Sequence, residues 1–160
     1  MSLLLDLHNT MAKNNLKLSI AESCTGGLIS SMIVAMPGAS VWFAGGVIVY
    51  SIESKMKLLG ISQDDILQHG AVSHAICKQM AEKTRHHLST DIGISITGNA
   101  GPTAEKNSTT GIAYIGFSMR NHLDVKQVEC KDNRLLAQDY FAQQCINLIV
   151  QNLNDRGAHR

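Results

Sequence analysis

A serine and a cysteine stand side by side where an apolar run, Leu16 to Ile20, meets a helix-like run, Leu28 to Ala35. A strand that stops at small polar residues and then opens a helix presents hydroxyls and free backbone N–H groups at one point, where oxyanions are stabilised. Ser23 is therefore a candidate nucleophile for attack on a carbonyl carbon, with the N–H groups of Thr25, Gly26 or Gly27 as oxyanion donors. The alternative is that Ser23 and Thr25 only cap the helix, which is the commoner use of such residues.

Cys24, next to Ser23, is intrinsically the better nucleophile, and a helix N-terminus can lower the pKa of a thiol. Neighbouring residues that leave a strand tend to point in opposite directions, however, so only one of the two side chains can face a site. We expect Cys24 to be the buried one. A reactive thiol at this position stays open as a further possibility.

A serine nucleophile needs a base that takes its proton, and three side chains are candidates. His69 and His74 lie on either side of the Gly-Ala-Val-Ser segment at 70–73, although a histidine at a helix end is more often a cap or a surface residue. Lys55 offers another route, because a lysine partly removed from water beside the nucleophile can be neutral enough to accept the proton. A solvated lysine on a helix surface is the alternative.

Two further features could bind a ligand. The Gly-Asn-Ala-Gly-Pro segment at 98–102 follows an apolar strand, so its backbone could approach a ligand where a side chain would clash, or it could be an ordinary turn. Arg134 stands at the predicted start of the last helix, where a phosphate would meet both a guanidinium and free N–H groups. An arginine on a helix surface is the alternative there.

Composition argues against several classes of partner. The formal net charge is +1 and 17% of the residues are charged, which is not the basic excess of a nucleic-acid-binding protein. The four cysteines are scattered, without the close pair of a zinc or redox motif, and predict a reduced, cytoplasmic protein. No apolar run approaches the roughly 20 residues that span a bilayer, so we expect no membrane partner.

Apolar periodicity and turn residues position the elements that would carry these side chains. We predict helices at 3–15, 28–35, 51–59, 62–70, 73–88 and 133–153, and strands at 16–20, 47–50, 92–96, 111–119 and 123–129. Thr25 is the predicted N-cap of the second helix, and the second strand is expected to be buried on both faces. Residues 98–110 are predicted to form a polar loop, and 154–160 a frayed tail.

This alternation of strands and helices predicts an α/β domain with helices on both faces of a mixed sheet of about five strands. Ligands bind beyond the strand ends of such sheets, so we expect the loops at 22–27, 51–55 and 98–110 to form one site. No internal repeat or low-complexity linker interrupts the chain, which predicts a single domain over residues 1–160.

Five motifs taken together resemble the CinA C-terminal-domain family, which includes the nicotinamide-nucleotide amidohydrolases. They are Ala-Glu-Ser-Cys-Thr-Gly-Gly at 21–27, Pro-Gly-Ala-Ser with Trp-Phe at 37–43, Tyr-Ser with Lys at 50–55, Gly-Ala-Val-Ser at 70–73, and Thr-Gly with Ala-Gly-Pro at 97–102. They occur in the family's order and spacing over nearly the whole chain.

The resemblance implies a three-layer α/β/α domain that hydrolyses the amide of nicotinamide mononucleotide to the acid and ammonia, without a metal or other cofactor. It also implies a homo-oligomer that takes part in recycling pyridine nucleotides. By position, the resemblance implies Ser23 as the nucleophile, Lys55 as its base and Tyr50 as a supporting hydroxyl. The implied oxyanion and substrate-binding residues are Thr25, Gly26, Gly27, Thr97, Gly98, Ala100, Gly101 and Arg134.

Three departures from the family pattern fall around the implied pocket. Ile52 replaces an asparagine, Gln138 replaces the second of two arginines, and Asp132 adds a negative charge near the first, Arg134. Thr-Thr at 109–110 also replaces the family's Lys-Pro. Loss of a charged hydrogen bond to a ligand typically costs about 1.5–3 kcal/mol. The pattern predicts a changed substrate or a weakened enzyme, and the alternative is a non-catalytic nucleotide-binding or interaction module.

Overall fold

The structure is a computed structural model that describes residues 3–104 and 108–157. Helices and strands are interspersed along the described chain, and a short 3₁₀ helix at Ala39–Val41 precedes the second strand. The helices are α1 (Leu3–Lys13), α2 (Leu28–Val34), α3 (Ile52–Leu59), α4 (Gln63–His69), α5 (His74–His87) and α6 (Arg134–Gly157). The strands are β1 (Leu18–Glu22), β2 (Phe43–Ile48), β3 (Ile92–Asn99), β4 (Ile112–Met119) and β5 (His122–Glu129).

The five strands form one sheet in the order β2-β1-β3-β4-β5. β2, β1 and β3 run parallel to one another, whereas β4 and β5 are added as antiparallel neighbours. The tight turn between β4 and β5 allows this antiparallel pairing, because only a crossover connection can join parallel neighbours. The predicted α/β class with a mixed sheet of five strands is confirmed.

Helices cover both faces of the sheet. One core joins the sheet to α1, α2 and α6 through side chains such as Leu7, Ile33 and Phe141, which are all 0% exposed. The other core joins it to α3, α4 and α5 through side chains that include Ile66 and Ile76. The domain therefore has three layers, and the sheet lies between them.

β1 is the central strand that delivers the Ser23 segment to the site. All five of its residues are buried, because β1 has a neighbour on each side and a helical layer on each face. Glu22, its last residue, is in register with Ile96 of β3. The chain that follows Glu22 therefore emerges beside the end of β3, at the edge of the sheet where parallel strands of α/β proteins meet ligands.

Three predicted elements differ from the structure in position or environment. The second strand was expected at 47–50 and buried on both faces, but β2 spans Phe43–Ile48 at the edge of the sheet and alternates half-buried and exposed residues. α6 continues through Gly157, so the predicted frayed tail does not begin at 154, and residues 158–160 lie outside the described part. β3 continues through Asn99, and residues 105–107 of the predicted polar loop also lie outside it.

Close packing of α5 on the sheet depends on Gly93. A Cβ at this position would lie 2.1 Å from Ala81 O and 2.5 Å from Arg85 Cβ, both on α5. We therefore expect Gly93→Ala to lower the free energy of unfolding by about 3 kcal/mol, since overpacking a dense core forces the layers apart. Urea unfolding followed by the fluorescence of Trp42, the single tryptophan, measures the change.

Gly60→Ala is the matched control for this prediction. Gly60 ends α3 with φ +64°, and a Cβ there would meet nothing within 4 Å. Only the backbone cost of a left-handed residue applies, about 1 kcal/mol. Equal losses of stability in the two variants would contradict the close-packing explanation.

Candidate active site

Ser23 and Lys55 lie together at the carboxyl end of β1. The Nζ atom of Lys55 is 2.9 Å from the Oγ atom of Ser23, within hydrogen-bond distance. Lys55 is 2% exposed and Ser23 is 5% exposed, so both side chains are largely removed from water. A hydroxyl paired with an amine at this distance has the geometry that proton transfer from nucleophile to base requires.

The start of α3 explains why Lys55 reaches this point. Ser51 is the predicted N-cap of α3, and its side chain accepts a hydrogen bond from Ser54 N at 3.0 Å. Helical side chains lean toward the N-terminus of their helix, so Lys55, near the start of α3, points back toward the segment that joins β2 to the helix. Its Nζ atom also donates to the carbonyl oxygens of Val49 (2.7 Å) and Tyr50 (3.3 Å).

Glu22, not Thr25, organises the turn that follows β1. The buried Glu22 carboxylate accepts hydrogen bonds from the Thr25 hydroxyl (2.6 Å), from Gly27 N and Ile29 N, and from both the N–H and the hydroxyl of Ser30. The predicted N-cap at Thr25 was therefore wrong: the N-cap position is Gly27, and an acidic side chain from the strand satisfies the first turn of α2. The turn is thereby held rigidly against both elements.

Two of the three expected oxyanion donors are used within the fold. Gly26 N donates to Ser23 O at 3.0 Å, and Gly27 N donates to Glu22 Oε2 at 3.1 Å. Thr25 N has no hydrogen-bond acceptor among the residues that the structure describes. Thr25, Gly26 and Gly27 also line a depression against α6 that does not include Ser23. Only Thr25 N is thus available from this segment.

Cys24 is 4% exposed and packs in the core beneath α1, α2 and α6. Burial raises the pKa of its thiol to about 12, because the thiolate loses its hydration, and the smaller effect of the nearby Lys55 and Arg134 charges does not offset this loss. A thiolate at this position is strongly disfavoured at neutral pH. The environment of Cys24 therefore argues against a reactive thiol.

The buried thiols make stability depend on alkaline pH. The pKa values of Cys24 and Cys77 are both raised from 9.0 to about 12, so each thiol binds its proton more tightly in the folded protein than in the unfolded chain. The free energy of unfolding is then at its full value below pH 9 and falls by about 1.4 kcal/mol per thiol for each pH unit above it. We expect Cys24→Ala to reduce the decline between pH 8 and pH 10 by about that amount, as measured by urea unfolding. An unchanged slope in Cys24→Ala would contradict the raised pKa.

The Ser23–Lys55 pair opens into a cleft of about 420 Å³. The cleft is lined by Ser23, Cys24, Tyr50, Lys55, residues 71–72, residues 97–104 and Arg134. Lys55 and Arg134 are the only basic side chains among these lining residues, and none of the others is acidic, so the cleft favours an anionic or strongly polar ligand. His69 and His74, the alternative bases, do not line it.

The loop after β3 forms the opposite wall of the cleft. The Thr97 hydroxyl donates to Ala71 O at 2.9 Å, which ties β3 to the turn between α4 and α5. Asn99 Oδ1 accepts from Gly101 N at 3.2 Å and shapes the loop itself. A Cβ at Gly98 would lie 2.5 Å from the Cβ of Ala113, so close packing against β4 requires this glycine. Thr97, Gly98, Ala100 and Gly101 are therefore brought to the cleft.

Arg134 crosses the mouth of the cleft from the start of α6. Its guanidinium donates to Gly101 O at 2.7 Å and to the Tyr50 hydroxyl at 3.1 Å. Tyr50 is 62% exposed, and its hydroxyl meets Arg134 at the cleft entrance. The expected supporting hydroxyl of Tyr50 thus lies on the arginine side of the cleft.

The departures from the family pattern at Ile52, Asp132 and Gln138 lie in different places. Ile52 is 46% exposed and does not line the cleft. Asp132 lines an adjoining cavity with Arg134, 660 Å³ in volume, that shares residues 100–102 with the cleft. Gln138 donates from Nε2 to Cys24 O at 2.7 Å. Ile52 is therefore remote from the cleft, Asp132 flanks the cleft, and Gln138 contacts the turn beside Ser23.

Sequence reasoning missed the roles of Glu22 and Gln138. The available signal for Glu22 was its position shortly before a predicted helix start, because a carboxylate is stabilised near the N-terminus of a helix. Gln138 lies 114 residues along the chain from the carbonyl that it contacts, and no local sequence pattern indicates a contact over such a separation.

Residues 3–104 and 108–157 contain no group of three or more His, Cys, Asp or Glu side chains placed to hold a metal ion. No helix among them has both the length and the apolar character that crossing a membrane requires.

Comparisons with known proteins agree with the fold and the motifs. The family model of the CinA C-terminal domain matches residues 2–153. A CinA-like protein of Dictyoglomus thermophilum is 42% identical over 146 residues, covering 89% of this chain and 35% of the relative. A CinA-like protein of Sulfurihydrogenibium is 39% identical over 140 residues, covering 87% of this chain and 35% of the relative. The chain thus spans about a third of the length of these relatives.

Solved structures resemble this fold over almost the whole chain. The competence damage-inducible protein A of Klebsiella pneumoniae has a TM-score of 0.92 at 22% identity, covering 95% of both chains. A competence or damage-inducible protein of Enterobacter asburiae has a TM-score of 0.91 at 25% identity, covering 94% of this chain and 96% of the other.

Proposed function

Because the chain belongs to the CinA C-terminal-domain family, we propose that it is an amidohydrolase that releases ammonia from nicotinamide mononucleotide or a closely related amide. Ser23 is the nucleophile and Lys55 is its base. The observation that carries the proposal is the distance of 2.9 Å between Lys55 Nζ and Ser23 Oγ, in a cleft where both side chains are buried.

The partners of Lys55 suit a base. A neutral amine has two N–H donors and one lone pair, and the Val49 and Tyr50 carbonyls can accept the two donors. Nζ also lies 2.9 Å from Ser23 Oγ, a distance at which a neutral amine can accept the proton of the hydroxyl. Burial favours this form, because removing an ammonium from water disfavours its charge.

The reaction follows from these groups in two steps. Ser23 Oγ bonds to the carboxamide carbon while its proton passes to Lys55 Nζ, and the resulting ammonium gives the proton to the departing nitrogen as the C–N bond breaks. Ammonia leaves and an acyl ester on Ser23 remains. Water then attacks this ester, with Lys55 again taking the proton, and the free acid is released.

The charges of the cleft support an anionic substrate. Lys55 is engaged with the nucleophile, so Arg134 at the cleft mouth is the group that would bind a phosphate. An entering anion would share or replace the hydrogen bonds from Arg134 to Gly101 O and the Tyr50 hydroxyl. We further propose that the protein acts in the cytoplasm as a homo-oligomer, for which light scattering in solution is the test.

The experiment is ammonia release from nicotinamide mononucleotide, with the acid product identified by mass spectrometry. We expect equal amounts of ammonia and acid. Other nicotinamide nucleotides are tested beside it, because Asp132 adds a negative charge beside Arg134 and could change the preferred substrate. A protein that is stabilised by these nucleotides in thermal-shift measurements but releases no ammonia would instead be a nucleotide-binding module.

A further inference from the structure

Gln138 makes a contact that the proposed acyl transfer leaves unexplained. It is a half-buried residue of α6, and its Nε2 atom donates to Cys24 O at 2.7 Å. Cys24 directly follows the proposed nucleophile. A side chain from α6 thus holds one particular carbonyl of the turn that carries Ser23.

That carbonyl belongs to the central peptide of a β-turn. Gly26 N donates to Ser23 O at 3.0 Å, so the turn runs from Ser23 to Gly26 and its central peptide joins Cys24 to Thr25. The common turn types I and II differ by a rotation of this peptide, which makes its orientation the variable feature of the turn. Thr25 is not among the residues with positive φ, and type II is therefore excluded.

The direction of the carbonyl decides the direction of the neighbouring N–H. A trans peptide is planar, so its C=O and N–H groups point to opposite sides. Gln138 holds Cys24 O on the α6 side, which directs Thr25 N–H away from α6. Gly26 N and Gly27 N are occupied by Ser23 O and Glu22, whereas Thr25 N has no acceptor among the described residues.

We propose that Gln138 is a positioning residue that orients the Cys24–Thr25 peptide, so that Thr25 N–H donates to the oxyanion formed when Ser23 attacks an acyl carbon. The inference rests on the proposed function of Ser23 as a nucleophile. It assigns Gln138, which stands where the family pattern has an arginine, the task of holding the oxyanion donor in place.

The size of the effect follows from what one oxyanion donor contributes. Removing such a donor costs about 10²–10³-fold in kcat, and loss of its positioning residue costs less, because the N–H itself remains. We expect a decrease of about 10–100-fold in kcat for Gln138 variants that lack a donor. KM should change little, because the oxyanion is absent from the bound substrate and develops only in the transition states and the tetrahedral intermediate.

A fluorophosphonate probe tests the inference without knowledge of the natural substrate. Ser23 Oγ bonds to phosphorus, the P–F bond breaks, fluoride leaves, and the serine proton passes to Lys55, while the phosphoryl oxygen occupies the position of the oxyanion. Labelling is followed by mass spectrometry at several probe concentrations, which separates the maximal rate of labelling from probe binding.

Four variants isolate the hydrogen bond. Gln138→Glu keeps the shape but loses the N–H when ionised, Gln138→Met keeps the length without polar atoms, and Gln138→Arg keeps a donor. We expect maximal labelling rates at least about 10-fold lower for the first two, and within about threefold of wild type for Gln138→Arg. Gln143→Met, at an exposed position of the same helix, should label like wild type.

Melting temperatures from Trp42 fluorescence separate positioning from a merely structural role. A structural role would lower the melting temperature and leave the labelling rate of the folded protein unchanged, which would overturn the inference. Equal labelling rates in wild type, Gln138→Glu and Gln138→Met would also overturn it while leaving Ser23 as the nucleophile. If wild type is not labelled at Ser23, the proposed function fails, and this inference fails with it.

Discussion

Ser23→Ala is expected to reduce ammonia release from nicotinamide mononucleotide by about 10⁴-fold or more, because without the hydroxyl no acyl-enzyme forms. Ser23 is 5% exposed and its Oγ atom contacts Lys55 Nζ, so removing one oxygen atom leaves the surrounding packing nearly unchanged. The fold should therefore survive, and substrate binding should persist. Ammonia release and thermal shift by the nucleotide, measured on the same preparation, separate the two effects.

Cys24→Ala is the control that distinguishes the neighbouring thiol from the hydroxyl. Cys24 is buried and its thiol has a pKa of about 12, so we expect this variant to keep most of its activity. Loss of ammonia release in Cys24→Ala together with retention in Ser23→Ala would assign the reaction to the thiol. Equal rates in wild type and Ser23→Ala would remove Ser23 from the mechanism.

Lys55→Met is expected to lower kcat by about 10³-fold, because a positioned general base contributes about 10²–10⁴-fold and methionine cannot accept a proton. Methionine matches the length of the lysine stem and fills the buried space. The Val49 and Tyr50 carbonyls lose a donor, however, which should lower the free energy of unfolding by about 1–3 kcal/mol. Kinetics are therefore measured well below the melting temperature of the variant.

Lys57→Met is the matched control, two residues further along α3. Lys57 is 72% exposed and pairs with Glu53 on the surface. A surface ion pair of this kind contributes about 0–1 kcal/mol, so activity and stability should both stay close to wild type. Similar losses of kcat in Lys55→Met and Lys57→Met would show that Lys55 does not act as the base.

The helix ends show where local sequence was sufficient. Ser51, Ser62 and Ser73 were each expected at a helix start, and each side chain accepts a hydrogen bond from a backbone N–H of its own first turn. Such caps act over three residues, so the chain carries the whole interaction locally. Thr25 failed as a cap because Glu22, in the strand before it, presents a carboxylate that accepts hydrogen bonds from several donors at once.

Whether a strand is buried or lies at the edge of the sheet was harder to predict than whether a segment forms a strand or a helix. The β-branched run at 47–50 suggested a strand buried on both faces, yet β2 lies at the edge of the sheet and exposes every second residue. Strand order decides which strand lies at an edge, and strand order depends on pairings between distant segments. Apolar character alone does not contain that information.

The sequence by itself determined the α/β alternation, most of the helix starts, and the segments that supply Ser23, Lys55 and Arg134 to one end of the sheet. Only the tertiary structure decided that Lys55 Nζ lies 2.9 Å from Ser23 Oγ, that Glu22 holds the turn, and that Gln138 contacts Cys24 O. The physical reason is the separation along the chain of the residues that interact. Caps and periodicity arise from neighbours along the chain, whereas a site is made by side chains that packing brings together from as far as 114 residues apart.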